Sequence, residues 1–361
     1  MSQKLCYVLP EYRSNDATHF SHIHDFLKEI SKFFDIFLVI EKGSVPDVSL
    51  GYKNVYLLHF RFLPLRIIET FFVLFLVRAK GYRNFYIHYS FLSAFIASLI
   101  GKTFYWNCGE PWKYKRGFLR EFFERLVYKM ISHLVTGAPS LADKYSSYYG
   151  ISRQSIKVMP NWIDLKRFNK NLSRDGVRNK LNLPLSNKIV LFVHHLSPRK
   201  GSRMILPVAQ SVLEKDPSVL FLVVGSGPDE NFLRTEISKA GLLKKIMLLG
   251  AVPNKKIPLY FSASDVFFMP SGEEGFPRVL LESMALGIPF VASNVGVVKE
   301  IIPESALLYV VGSEDSGGFA DKLINLLNQD QIKRQEFSNE LRKWATKYDI
   351  STVAGKFLRL F

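Results

Sequence analysis

Short apolar runs, separated by stretches with helical periodicity, recur from one end of this chain to the other. In the first half they lie at 5–9, 36–40, 55–60, 85–88, 103–106, 134–136 and 156–159. Helical patterns around 19–33, 65–80, 91–100, 117–132 and 140–148 separate most of them. In the second half the runs lie at 189–193, 219–224, 246–249, 266–269, 290–292 and 307–310. Helical patterns near 202–215, 229–240, 254–263, 277–286 and 315–328 fall between those. Strands this short and uniformly apolar are covered on both faces, which calls for parallel pairing with helical crossovers. Two such series in tandem predict an α/β chain of two Rossmann-like domains whose parallel sheets face a cleft. Ligands of such sheets bind beyond the carboxyl ends of the strands.

A length of 361 residues agrees with two cores rather than one. The expected boundary falls at Pro160-Asn-Trp-Ile-Asp164, which gives a first Rossmann-like domain over 1–163 and a second over 164–344. The tail from about 331 carries two more helices, with Trp344 and Tyr348 near their junction. Its last part, about 345–361, is expected to pack back on the first domain.

Formal net charge is +16, which suits nucleic acid, an anionic membrane surface or a phosphorylated substrate. The excess is spread out: 21 Lys/Arg against 12 Asp/Glu over 1–163, and 27 against 20 over 164–361. No basic tail forms, so a nucleic-acid partner is not expected. Cys6 and Cys108 offer neither a disulfide framework nor metal-ligand spacing, which points to a reducing compartment. The N-terminus lacks the apolar segment of a secretory signal, and the apolar run 71–77 is far too short to span a bilayer. A cytoplasmic protein is expected.

The chemistry concentrates in the second half. Glu274 and Glu282 stand in the run Pro270-Ser-Gly-Glu-Glu-Gly-Phe-Pro277 and the helical pattern after it. One carboxylate sits in a glycine turn before a helix, the other about two turns along it. Such a pair suits a ligand that is anionic in one part and rich in hydroxyls in another. Glu282 alone reads as a solvated helical side chain and Glu274 as a contribution to the helix dipole. The region otherwise carries little polarity for a surface, which favours the binding role. Arg199-Lys200-Gly201 follows a strand and opens a helix, a natural place for a diphosphate, although it also fits a solvated basic turn. Gly225, in Val224-Gly-Ser-Gly-Pro228, is expected to bound the same pocket; Gly-x-Gly by itself says little.

These motifs, in this order, resemble the retaining glycosyltransferases of family 4, the group 1 enzymes with the GT-B fold. The match includes the E-x7-E spacing of Glu274 and Glu282, Leu281-Glu-Ser-Met-Ala-Leu-Gly-Ile-Pro289, and Val291-Ala-Ser-Asn-Val-Gly296 leading to Glu300. Pro160-Asn161 with Asp164 and Phe168 is similar to the family's interdomain segment. The resemblance covers roughly 160–310 and implies roles. Glu274 would contact donor-sugar hydroxyls, Glu282 the ribose diol, and Lys200 with Arg199 the diphosphate. Backbone N–H groups around Gly275 and Phe276, ahead of Pro277, would support the leaving oxygens. A nucleoside diphosphate sugar is then the donor, with no metal or other cofactor expected, since no Asp-x-Asp motif occurs.

The chain departs from the family pattern at three places. His194-His195-Leu196 stands where Gly-Arg-Leu is common, so His195 takes the place of a diphosphate-binding arginine. The glycine pair after the first strand is replaced by Ser14-Asn-Asp-Ala-Thr-His19, and Cys108 stands where a histidine is frequent. On the acceptor side the candidates are His19, His88 and Glu110, with Trp112 stacking on a sugar ring. Packing explains a lone His or Trp equally well. Phe118, Phe122, Phe123, Leu126, Val127 and Met130 recur at helical spacing. They predict a helix packed on the sheet or, with the cations beside it, one lying on anionic lipid.

The expected activity is transfer of a hexose to a glycan or lipid-linked acceptor in cell-envelope polysaccharide synthesis, in the cytoplasm or on the inner face of the membrane. Glu274, Lys200 and His19 are the catalytic candidates. The rival readings are a sugar-nucleotide epimerase of the same fold and a non-catalytic nucleotide-sugar or glycan-binding protein.

Overall fold

A computed structural model describes residues 3–12, 21–45, 54–168 and 173–361. The chain forms two compact units, Met1–Pro160 with Ile350–Phe361, and Asn161–Asp349. The first holds β1 (Gln3–Leu9), β2 (Phe34–Ile40), β3 (Asn54–Leu57), β4 (Asn84–His88), β5 (Lys102–Trp106), β6 (His133–Thr136) and β7 (Ile156–Val158). Their order across the sheet is β3-β2-β1-β4-β5-β6-β7. The second unit holds β8 (Lys188–Val193), β9 (Val219–Val224), β10 (Ile246–Gly250), β11 (Val266–Met269), β12 (Phe290–Ser293) and β13 (Val310–Val311), in the order β10-β9-β8-β11-β12-β13. Every strand pair is parallel, as in two tandem Rossmann-like α/β units.

Parallel strands send alternate residues to opposite faces, and both faces here are covered. In the first sheet Cys6, Val8, Phe85, Ile87 and Tyr105 pack with Val73, Leu74, Val77, Ala94 and Val127 from the helices Leu63–Ala79, Phe91–Ile100 and Phe118–Met130. Tyr86 and Phe104 take the other face, against Phe357 and Phe361. The helix Ile350–Leu358 also meets the helix Ser21–Ile30, with the Phe26 and Phe357 rings edge to face at 5.3 Å.

The second unit is tied through Asp265, buried just before β11. Its carboxylate takes Arg178 at 2.8 Å, Arg174 at 2.7 Å and Arg334 at 3.3 Å, and accepts the Ile189 N–H at 2.7 Å. Arg178 is itself sealed in, and it donates to the carbonyls of Ala263, Leu185 and Asn187. A buried charge satisfied on this many sides fixes the start of β11, and so the direction in which the loop after β11 leaves.

Two expectations need correction. Residues Glu304–Tyr309 form a 3-10 helix, and the last strand is the short Val310–Val311. Leu307 and Leu308 are exposed in that turn, so an apolar run there was no guarantee of a buried strand. In the helix Phe118–Met130 the buried residues are Glu124, Val127 and Tyr128, while Phe118, Phe122 and Leu126 face solvent. A salt bridge draws the helix inward on that side: the Glu124 carboxylate is held by Arg116, and by Arg120 at 3.0 Å.

Candidate active site

In the second unit the chain runs from β8 to β9 on one side and from β11 to β12 on the other, although β8 and β11 are neighbours. The loops leaving these two strands therefore diverge, and the space at their carboxyl ends is where such sheets bind ligands. Backbone hydrogen bonds lace the two loops. Gly272 and Glu273 donate to the Arg199 carbonyl at 3.0 and 3.2 Å. Gly201 sits at φ +70, and a Cβ there would lie 1.9 Å from the Pro270 carbonyl oxygen, so only glycine lets the loops close up. From the far side Gly296 meets the Glu274 carbonyl in the same way, again at 1.9 Å for a Cβ.

The centre of this arrangement is one carboxylate oxygen. Glu274 Oε1 accepts from Lys200 Nζ at 2.8 Å, from Ser271 Oγ at 2.9 Å and from His194 Nε2 at 3.1 Å. Glu274 and Lys200 are both buried, at 6% and 7% exposure. Burial pushes the Glu274 carboxyl up, but the hydrogen bonds from His194 and Lys200, with the Lys200 charge, outweigh it and hold the carboxyl well below its ordinary range. Burial lowers the pKa of Lys200, with Glu274 opposing the shift. His194 is likewise lowered by burial, against the pull of Glu274. His194 Nδ1 accepts the His195 backbone N–H at 2.9 Å, which leaves Nε2 protonated and turned to Glu274. A neutral histidine donating through Nε2 fits both its lowered pKa and this geometry. The centre thus holds an ionised carboxylate, an ammonium and a neutral imidazole.

Glu282 lies on the helix Arg278–Leu286 and is buried at 7% exposure. Burial raises its pKa, with Arg278 and Arg167 acting in the other direction. Its carboxylate makes no hydrogen bond to any described residue, so its acceptor capacity is open to a diol. Pro277 is the residue before the helix rather than its first. The backbone N–H groups of Gly275 and Phe276 make no hydrogen bond among the described residues, as suits a helix start that meets an anion. The Phe276 carbonyl is held by Asn161 at 3.2 Å, and its ring meets Tyr348 edge to face.

The structure brings Lys200 and Glu274 together and revises the neighbourhood. His195 is exposed, and the histidine that reaches Glu274 is His194. Sequence reasoning missed His194 and Ser271; both were visible as polar residues at the ends of β8 and β11. Arg199 is exposed and pairs loosely with Glu273, at 3.7 Å. Gly225 donates to the Gly250 carbonyl at 2.8 Å, one residue beyond the Val224 carbonyl that holds His194.

The first-unit candidates stand differently. His19 lies outside the described residues. Glu110 is buried and engaged by Lys113 at 2.5 Å and Lys144 at 3.5 Å. Trp112 packs on Tyr145 and Tyr148. His88, the last residue of β4, is an interior residue, 1% exposed, with Nε2 against the Tyr7 hydroxyl at 2.5 Å. In the structure His88 is interior, Glu110 is buried and ion-paired, and Trp112 is partly buried against the core.

Burial lowers the His88 pKa from the ordinary 6.5 to about 3. Between those values the unfolded chain binds a proton that the native one does not, so stability falls as pH falls. Taking the wild type from pH 6.5 to about pH 4.5 should remove about 2–3 kcal/mol through this group. Denaturant titrations of wild type and His88→Gln should show this loss in the first and not the second; equal slopes would remove the assignment.

Residues 173–344 match the family described as glycosyl transferases group 1. Among curated proteins, a phosphatidyl-myo-inositol mannosyltransferase of Mycobacterium leprae is 33% identical over 180 residues, 49% of this chain and 47% of that protein. A D-inositol 3-phosphate glycosyltransferase of Corynebacterium urealyticum is 27% identical over 251 residues, 67% of this chain and 59% of that one. The chain thus spans about half to three fifths of the length of these relatives. Among solved structures, HepE of Anabaena in complex with UDP and glucose superposes with a TM-score of 0.79 at 18% identity, over 99% of both chains. A glycosyltransferase from Rickettsia africae gives 0.81 at 16%, over 99% of this chain and 97% of that one. These likenesses show the two-unit GT-B fold. It is residues 173–344 of the second unit that match the group 1 glycosyltransferases.

Proposed function

We propose that this chain is a retaining, metal-independent glycosyltransferase that moves a hexose from a nucleoside diphosphate sugar to a glycan or lipid-linked acceptor. We place it in cell-envelope polysaccharide synthesis, on the cytoplasmic side of an anionic membrane. The observation that carries the reading is the Lys200–Glu274–His194 centre, with Glu282 on the helix that follows making no hydrogen bond among the described residues.

Each group has a task in that reaction. Glu282 accepts hydrogen bonds from the ribose diol, as acidic residues of dinucleotide folds do. Glu274 Oε2, with no partner of its own among the described residues, takes a donor-sugar hydroxyl. Lys200 and the N–H groups of Gly275 and Phe276 receive the charge that develops on the departing diphosphate. Fixed donors aimed at such charge are worth several kcal/mol. The bond from the anomeric carbon to the phosphate oxygen breaks through an oxocarbenium-like state. The acceptor oxygen bonds to the same face, and its proton passes to the leaving phosphate. A metal ion has no required part, because Lys200 and the helix start supply the positive potential.

The test is a panel of nucleoside diphosphate sugars, each incubated alone and with glycan and lipid-linked acceptors, with and without EDTA. Proton NMR of the product should show the anomeric configuration of the donor, at a rate EDTA leaves unchanged. Inverted product or loss of activity with EDTA would overturn the corresponding part. A changed sugar nucleotide formed from donor alone would favour the epimerase.

A further inference from the structure

The helix Leu63–Ala79 is apolar on its outward side as well as on the side that packs Val73, Leu74 and Val77 into the core. Its solvent-facing positions are Leu63, Pro64, Leu65, Ile67, Ile68, Phe71, Phe72, Phe75, Leu76 and Ala79, without one polar side chain among them. Its buried face carries the helix's only carboxylate, Glu69, together with Thr70. Glu69 is drawn inward by the backbone N–H groups of His59 and Phe60, at 2.9 and 3.0 Å, and by the Tyr56 hydroxyl at 3.1 Å. An ordinary surface helix turns polar side chains to solvent instead. Phe62, Phe71, Phe72 and Phe75 are 68%, 43%, 60% and 53% exposed. At about 200 Å² for each ring, these four alone present roughly 400–500 Å² of apolar surface, the size at which a patch marks an interaction site.

The patch does not end there. The helices Phe91–Ile100 and Phe118–Met130 cover the same side of the sheet, and they expose Leu99, Phe118, Leu119, Phe122 and Leu126. Charge around the patch is one-sided. From 61 to 130 the chain carries twelve Lys/Arg and four Glu. Three of the four, Glu69, Glu110 and Glu124, are buried, and the fourth, Glu121, pairs with Arg125. Arg61, Lys80, Arg83, Lys115, Arg120 and Lys129 are exposed.

We propose that this face of the first unit docks on an anionic phospholipid bilayer, with the outward side of Leu63–Ala79 sunk into the headgroup–acyl boundary and the lysines and arginines on the phosphates. Apolar insertion combined with cationic attraction is the pattern of a helix that lies in the interface. No helix of the described residues is long and apolar enough to cross a membrane, so this one lies along it. A second copy of the chain is the poorer occupant: a symmetric contact would set the same cations against each other on a molecule of net charge +16. The proposal gives a location to the lipid-linked acceptor and rests on the transferase reading only for that purpose.

Co-sedimentation with phosphatidylcholine vesicles, with and without phosphatidylglycerol, tests it without nucleotide. Wild type should bind the anionic vesicles. The triple variant Phe72→Ser, Phe75→Ser and Leu76→Ser should bind at least about tenfold more weakly. Lys115→Gln and Lys129→Gln should each cost about fivefold on anionic vesicles only. All these side chains are exposed, and calorimetry with UDP should find nucleotide binding unaltered in each variant. The proposal falls if wild type ignores both vesicle types or if the triple variant binds as well as wild type. It also falls if light scattering shows a wild-type dimer that the triple variant dissolves. Vesicle binding by a protein that takes up no nucleotide would instead remove the transferase reading and leave this one standing.

Discussion

Glu274→Gln is expected to lower the rate of sugar transfer by about 10²–10³-fold while affinity for the nucleoside diphosphate holds or rises. The substitution keeps the size of the side chain and an oxygen for Lys200, Ser271 and His194 to meet, and it removes the charge. That charge matters in the transition state, where the anomeric carbon becomes positive and its bond to phosphate lengthens. In the ground state the same charge repels a diphosphate, so its loss does not weaken binding of the leaving group. Without the carboxylate, burial would depress Lys200 further, since Glu274 now opposes that shift. A bound diphosphate supplies the missing negative charge and restores the ammonium. Steady-state kinetics with a fixed donor separates the two effects: kcat should fall and KM should not rise. Full activity in this variant would remove Glu274 from the reaction.

Lys200→Met carries the opposite signature. The ammonium is the buried cation of the centre, held within hydrogen-bond range of Glu274 and, at 3.4 Å, of the Glu273 carbonyl. A charge-assisted hydrogen bond is worth about 1.5–3 kcal/mol, so its loss should weaken nucleoside diphosphate binding about 10–100-fold. Arg199 is exposed and cannot make up the difference, because water screens it.

Much of this was legible before the fold was known, for identifiable reasons. Strands buried on both faces write themselves as unbroken apolar runs, so 189–193, 219–224 and 266–269 stood out against their polar surroundings. Glu274, Lys200 and the loop glycines were legible because a strand-to-helix turn that meets phosphate needs those residue types. The choice between His194 and His195 was not legible. Adjacent residues at a strand end point in opposite directions, and which one faces the centre depends on the register of β8 against β9 and β11. Glu282 looked like a solvated helical residue; Asn161, Trp162 and Arg167, more than a hundred positions away in sequence, help to enclose its surroundings. The helix Leu63–Ala79 was legible as a helix, but its outward face was not. It is apolar on nearly every side, so periodicity could not say which side faces out, and that was settled by where Glu69 found its partners.

The measurement that bears most directly on the donor centre is calorimetric titration of a nucleoside diphosphate into wild type and Lys200→Met. Binding by wild type, weakened at least about tenfold in the variant, is the predicted result. Equal affinity in the two proteins would contradict it, because a diphosphate indifferent to the buried ammonium beside Glu274 must be held somewhere else.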